Sequence, residues 1–264
     1  MAVTNDLNSP VKILTRADDA GSLEGCNISI MQLAKAGFVK NVSVIAVGKF
    51  VEQLADWLSG DKSICFGMHA TLNMGVSKSF KWKPLTGGNP KYGLVDIDGY
   101  MPLKPHSLIE TKPSFENIFK EYNAQLDKLT SAGFKITYMD SHCFADNVIG
   151  ITDEARAWAY KKGLLYHMDY TGYTCLTSRE ALVPEEGADN AAYITNEYSK
   201  LQGGNYYLIL HPSLYAPDII EVGGVDIARA RSKEANAFSD ADFIRFAERK
   251  GIITLRYDEA EIIL

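Results

Sequence analysis

Five side chains in this sequence are of the types that bind a divalent metal and move protons: Asp18, Asp19, His69, His142 and His211. An aspartate with two neutral imidazoles suits a divalent transition metal and leaves coordination positions open for water. Such an ion brings the pKa of a water from about 15.7 toward 7 and polarises a substrate carbonyl. The other aspartate of the Asp18-Asp19 pair can then act as general base, and a further histidine as general acid. Each residue also has a plain structural reading. Asp-Asp after a strand is a common cap or turn, a lone histidine at a strand end is often only hydrogen-bonded, and His211-Pro212 can simply end a strand. Cys143 beside His142 reads as packing, and His106 and His167 read as solvated or structural. What favours chemistry is joint placement: the candidates, with Asp140, all fall where strands hand over to loops.

Hydrophobic periodicity defines those handover points. Residues 11–15 read as a strand broken by 16–21, then a helix over 22–36 ended by Gly37. A β-branched run at 42–47, a helix over 50–58 and a strand over 63–72 follow, the last carrying His69. Residues 75–112, rich in glycine, proline and aromatics, read as a long excursion over one face. Structureless connections beyond about 15 residues are usually lids or binding loops. The aromatics Phe80, Trp82, Tyr92 and Tyr100 can stack on a ligand there or pack the loop down. A helix over 114–132 is capped by Ser114, and a strand over 135–139 runs into Asp140-Ser141-His142. Then come a helix over 152–162 with Thr152 as cap, a weak strand at 164–168 and an ambiguous stretch at 169–200 that can hold a second excursion. A strand at 206–210 runs into His211, and helices over 226–237 and 240–250 and a strand at 252–257 finish the chain. This alternation predicts an α/β fold over 1–264 as one domain, a (β/α) barrel-like arrangement, closed or nearly so, of seven or eight mostly parallel strands surrounded by helices. In such barrels the chemistry sits at the C-terminal ends of the strands.

Composition narrows the partners. A net charge of −6 without a basic block excludes nucleic acid, and 46% hydrophobic residues suffice for a sizeable core. No run of apolar residues reaches the ~18 that a membrane span needs. The polar start, Met1 to Pro10, lacks the pattern of a signal peptide. Cys26, Cys65, Cys143 and Cys175 show no CxxC spacing and read as free thiols of a cytoplasmic protein.

Several segments together resemble the YdjC-like carbohydrate deacetylases, the family of the chitooligosaccharide deacetylases. They are Thr15-Arg-Ala-Asp-Asp-Ala-Gly21, Gly67-Met-His-Ala-Thr-Leu72, Asp140-Ser-His142, Tyr207-Leu-Ile-Leu-His-Pro212, and Ala228 to Phe238 followed by Gly251-Ile-Ile-Thr-Leu255. The resemblance runs in order over almost the whole chain. It implies one divalent metal, magnesium or a zinc-like ion, held by Asp19, His69 and His142, with Asp18 as base and His211 as acid. Two imidazoles and one carboxylate favour zinc on ligand grounds. The reaction implied is removal of an N-acetyl group from an amino sugar or oligosaccharide; the resemblance also points to a homodimer. Arg16, Trp82 and Tyr92 are the candidate substrate contacts. Three departures concern specificity: Cys143-Phe-Ala-Asp146 stands where the family often has further histidines, Ser213 follows His211-Pro212 in place of glycine, and Arg16 replaces a common asparagine. A phosphoesterase on the same ligand set, or a carbohydrate-binding protein that has lost activity, are the competing readings.

Overall fold

The computed structural model describes residues 9–176 and 189–264. Eight parallel strands form one sheet: β1 (Val11–Ala20), β2 (Asn41–Val44), β3 (Cys65–Ala70), β4 (Ile136–Ser141), β5 (Leu165–Tyr166), β6 (Thr174–Leu176), β7 (Gly204–Leu210) and β8 (Ile253–Leu255). The spatial order is β5-β4-β3-β2-β1-β7-β6, with β8 on β1. Among the described residues no pairing joins β5 to β6, so the barrel expected to be closed or nearly closed is a half-barrel, open at that seam. Strand β1 is its axis. β7 takes one edge of β1; on the other, β8 pairs Lys12 to Leu14 and β2 pairs from Arg16 onward. Asn41 stitches the junction, donating to the carbonyls of Thr15 and Leu255 and accepting from the Tyr257 N–H.

The helices are α1 (Glu24–Ala36), α2 (Val51–Leu58), α3 (Ser107–Thr111), α4 (Phe115–Ser131), α5 (Ala145–Val148), α6 (Thr152–Lys161), α7 (Asn190–Ser199), α8 (Pro217–Ser239) and α9 (Ala241–Lys250). Gly37 ends α1 with a φ of 82°, a left-handed cap that glycine adopts without a Cβ clash. Ser114 caps α4 by accepting from the Asn117 N–H. Thr152, expected to cap α6, is instead its first residue; Ile151 holds the cap position without a side-chain bond. Pairing to β7 makes β6 a strand, and α7 packs on α8 and α9; both lie in the stretch that periodicity left ambiguous, of which 177–188 are outside the described residues.

Period-two alternation sorts each strand between core and interior. On β3, Phe66, Met68 and Ala70 join the main apolar core, leaving Cys65, Gly67 and His69 for the other face. On β7, Tyr206, Leu208 and Leu210 do the same, while Tyr207, Ile209 and His211 border a cavity. Below that cavity Leu14, Cys65, Tyr138, Tyr170, Tyr173 and Tyr257 form a second apolar cluster. Gly67 makes room for it, since a Cβ there would lie 2.3 Å from the Tyr138 ring.

The 75–112 segment is held down by specific bonds. Buried Glu121 of α4 accepts from the N–H groups of Leu85 and Thr86 and from the Thr86 hydroxyl. Met74 and Gly75 donate backbone bonds to Pro102 and Leu103. Trp82, Met74 and Met101 pack with Ile45 into a satellite core.

Candidate functional site

All strands are parallel, so their C-terminal ends meet at one rim, and there Asp18, Asp19, His69, His142 and His211 border one cavity of about 470 Å3. β1 brings two adjacent aspartates to it by a β-bulge. The strand was expected to end at Thr15, but it continues to Ala20, because Ala17 pairs with Val42 and Ala20 with Val44. That register places one extra residue on β1, and Asp19 absorbs it with a φ of 64°. Ala17 and Ala20 both face the core, so Asp18 and Asp19 between them both line the cavity. In a regular strand neighbours point to opposite faces, and a bulge is a common device for re-aiming a side chain.

Asp19, His69 and His142 converge. Asp19 Oδ1 lies 3.6 Å from His69 Nε2 and 3.4 Å from His142 Nδ1, and the two ring nitrogens are 3.0 Å apart. Ligands at zinc–nitrogen distances of about 2.0–2.1 Å sit about 3.4 Å apart around a tetrahedron and about 2.9 Å apart around an octahedron, so these separations are of the size found between ligands of one ion. Asp19 Oδ1 is buried without a hydrogen-bond partner, as a ligand atom awaiting a cation would be. The residues therefore fit a divalent ion.

The groups behind the ligands orient them. His69 and Asp140 are register partners across β3 and β4, and Asp140 Oδ2 accepts a hydrogen bond from His69 Nδ1 at 2.6 Å. This leaves Nε2 as the ring atom that faces Asp19 and His142, an arrangement that commonly supports a metal-binding histidine. Arg16 forks onto Asp18 at 2.6 and 2.8 Å, reaches Asp140 at 3.2 Å and donates to Tyr257. Arg231 of α8 holds the other oxygen of Asp19 at 2.7 Å. Glu234, one turn on, accepts from the His211 N–H at 2.7 Å. His211 Nε2 lies 3.9 Å from Asp18 Oδ2 and is part-exposed to the cavity. Gly75, with a φ of 78°, crosses the back of His142; a Cβ there would lie 2.5 Å from Nε2.

The local field suits a cation. Burial works against charge on Asp19, yet Arg231 and the two imidazoles hold its carboxyl well below the usual carboxylate range. Burial also opposes protonation of His69, but the charges of Asp140 and Asp18 hold its pKa well above normal. His142 is driven up to about 9 against burial, chiefly by the Asp19 carboxylate 3.4 Å from its Nδ1. A field that draws protons onto two buried imidazoles also favours a metal ion between them.

The sequence-expected contacts are placed differently from one another. Arg16 borders the cavity with its guanidinium committed to Asp18 and Asp140. Trp82 is buried, stacked on Phe80 at 4.2 Å and edge-on to His142 at 5.8 Å. Tyr92 is exposed on the turn Pro90–Tyr92 and does not border this cavity. Three supporting residues carried only faint sequence signals. Asp140 was visible as a strand-end residue without a partner, and Arg231 and Glu234 as charges three apart on one helical face. Beyond His142, Cys143 and Phe144 are consecutively left-handed, at φ 55° and 53°. Such conformations cost roughly 1–3 kcal/mol each and gather at functional sites.

Residues 12–249 match the sequence profile of the family described as YdjC-like protein. The chain belongs to this YdjC-like family. A relative from Thermoanaerobacter pseudethanolicus named carbohydrate deacetylase is 23% identical over 257 residues, covering 93% of this chain and 97% of its own length. A carbohydrate deacetylase from Listeria monocytogenes serotype 4a is 22% identical over 194 residues, covering 70% and 73%. Among solved structures, a protein from Enterococcus faecalis V583 named for cellobiose-phosphate cleavage superposes with a TM-score of 0.72 at 18% identity, over 95% of this chain and 98% of that one. The catalytic domain of a peptidoglycan N-acetylglucosamine deacetylase from Eubacterium rectale superposes at 0.52 and 12% identity, over 98% and 94%. These likenesses agree with the barrel-like fold. No helix among the described residues is long and apolar enough to cross a membrane.

Proposed function

We propose that this YdjC-like protein is a metal-dependent carbohydrate deacetylase that hydrolyses the N-acetyl group of an amino sugar. The convergence of Asp19 Oδ1, His69 Nε2 and His142 Nδ1 at coordination-shell spacing carries the proposal. A divalent ion held by these three residues supplies Lewis acidity, polarising the acetamide carbonyl and acidifying a water. Asp18, fixed by the two-pronged bond from Arg16, takes a proton from the attacking water. His211, whose backbone is anchored by Glu234, gives a proton to the departing amine. Asp18 Oδ2 and His211 Nε2 are 3.9 Å apart, so the incoming oxygen and the departing nitrogen on one tetrahedral carbon can lie within hydrogen-bond reach of Asp18 and His211 respectively. The products are acetate and the free amino sugar. A neutral amide fits this cavity better than a phosphoester. Its two buried guanidinium groups are bonded to aspartates: Arg16 to Asp18 and Asp140, and Arg231 to Asp19.

The test is divalent-metal content together with acetate release from N-acetylglucosamine oligomers. Wild type is expected to load a metal and release acetate, and His69→Ala and His142→Ala to lose both. Asp18→Asn should keep the metal while kcat drops by about 100-fold or more. A wild type that takes up no divalent metal under any loading condition refutes the proposal, and undiminished acetate release by Asp18→Asn refutes the base assignment.

A further inference from the structure

We propose that Phe144 is a specificity-determining residue whose ring receives the apolar C–H face of the sugar adjoining the one that reacts; this rests on the deacetylase reading of the site. The backbone enters the left-handed region immediately after His142. Cys143 has φ 55° and ψ 28°, and Phe144 has φ 53° and ψ 36°. Neither is a glycine, so both backbones hold a conformation that side chains disfavour. The outcome of the double turn is the position of the Phe144 ring. Ser141 and His142 are buried, yet Phe144 is 48% exposed at the cavity rim.

Packing does not account for that position. Phe144 borders both the main cavity and a second cavity of about 100 Å3, and among the described residues its one aromatic neighbour is His167 at 6.0 Å. Among those residues, a ring placed between two cavities gains little from the core. The wall it continues is apolar: Val76, Leu176, Tyr207 and Ile209 border the same cavity. Of the polar groups that recognise an acetamide and hydroxyls, Asp18, Asp19, His69 and His142 are buried and His211 is part-exposed beside Asp18. A pyranose has both kinds of surface, hydroxyl edges and a flat C–H face, and aromatic rings take such apolar faces by dispersion and burial. The reacting sugar belongs at the buried polar end, and the next ring meets Phe144 at the rim.

The test compares wild type with Phe144→Gly, Phe144→Ala and Phe144→Trp on an N-acetylated β-linked glucosamine disaccharide and on free N-acetylglucosamine. In the Gly and Ala variants the disaccharide-to-monosaccharide ratio of kcat/KM should drop roughly 3- to 10-fold, through KM. The Trp variant should restore it. Phe144→Gly should melt no lower than wild type, because glycine adopts the left-handed conformation freely. An unchanged ratio in Phe144→Gly overturns the proposal, as does a lowered melting temperature with both sugars affected equally. If wild type hydrolyses neither sugar, the deacetylase reading fails and calorimetric titration of the disaccharide decides the platform separately. Weaker binding by Phe144→Gly supports it, and equal or absent binding in both proteins overturns it.

Discussion

Replacing Asp140 by asparagine tests whether a residue that need not touch the metal sets the affinity for it. Its carboxylate is fully buried between His69 Nδ1 at 2.6 Å and Arg16 at 3.2 Å. As acceptor it keeps the His69 proton on Nδ1, so Nε2 faces Asp19 and His142 with its lone pair. Asparagine keeps the shape but removes the charge, and a neutral hydrogen bond has about half the strength of a charge-assisted one. If its amide turns its NH2 to the ring, the proton moves to Nε2 and blocks the ligand atom. Loss of such a supporting carboxylate typically weakens metal binding about 10- to 100-fold, which is about 1.4–2.7 kcal/mol. Alanine is the poorer probe, because breaking a buried ion pair costs about 3–5 kcal/mol and threatens folding. The assay is metal titration of chelator-stripped protein against a competing indicator, with acetate release followed as a function of free metal. Asp140→Asn should need 10- to 100-fold more metal yet recover most of its activity at saturation, whereas His69→Ala should not recover. A metal affinity within about twofold of wild type, or activity that saturating metal leaves unrestored, refutes the supporting role.

Gly75→Ala should abolish most acetate release, because its Cβ would fall 2.5 Å from His142 Nε2 at a position with φ 78°; unaltered activity with an unaltered melting temperature would show that this contact relaxes freely. Asp146 is raised to about 6 by burial, against the opposing hydrogen bonds from Tyr122 and Tyr166. A carboxyl whose folded pKa is raised binds its proton more tightly in the folded state, so it adds stability as pH falls from about 6 toward its unfolded value near 4. Urea unfolding between pH 7 and 3.5 should therefore show wild type gaining about 3 kcal/mol relative to Asp146→Asn, and parallel pH profiles would refute this.

The sequence alone was enough to place most strands and helices, because the strands are short apolar runs between turn residues and the long helices have an apolar stripe. Ser114 before α4 and Gly37 after α1 were legible because caps and left-handed turns have strong residue preferences. All three proposed ligands, Asp19, His69 and His142, were visible where strands hand over to loops. What periodicity could not show was the bulge in β1. Arg16-Ala-Asp-Asp-Ala-Gly21 reads as a strand breaker. Pairing with β2 and β7 keeps it extended, with Asp19 taking the extra residue. Likewise β6 is three residues long and exists through its bonds to β7. The same limit applied to the supporting shell. Asp140, Arg231 and Glu234 reach His69, Asp19 and His211 from other strands and helices, through contacts that no local spacing encodes. Residue types and strand ends thus told which side chains were candidates. The tertiary structure decided which of them come together, because that geometry depends on angstrom-scale register between segments distant in the chain.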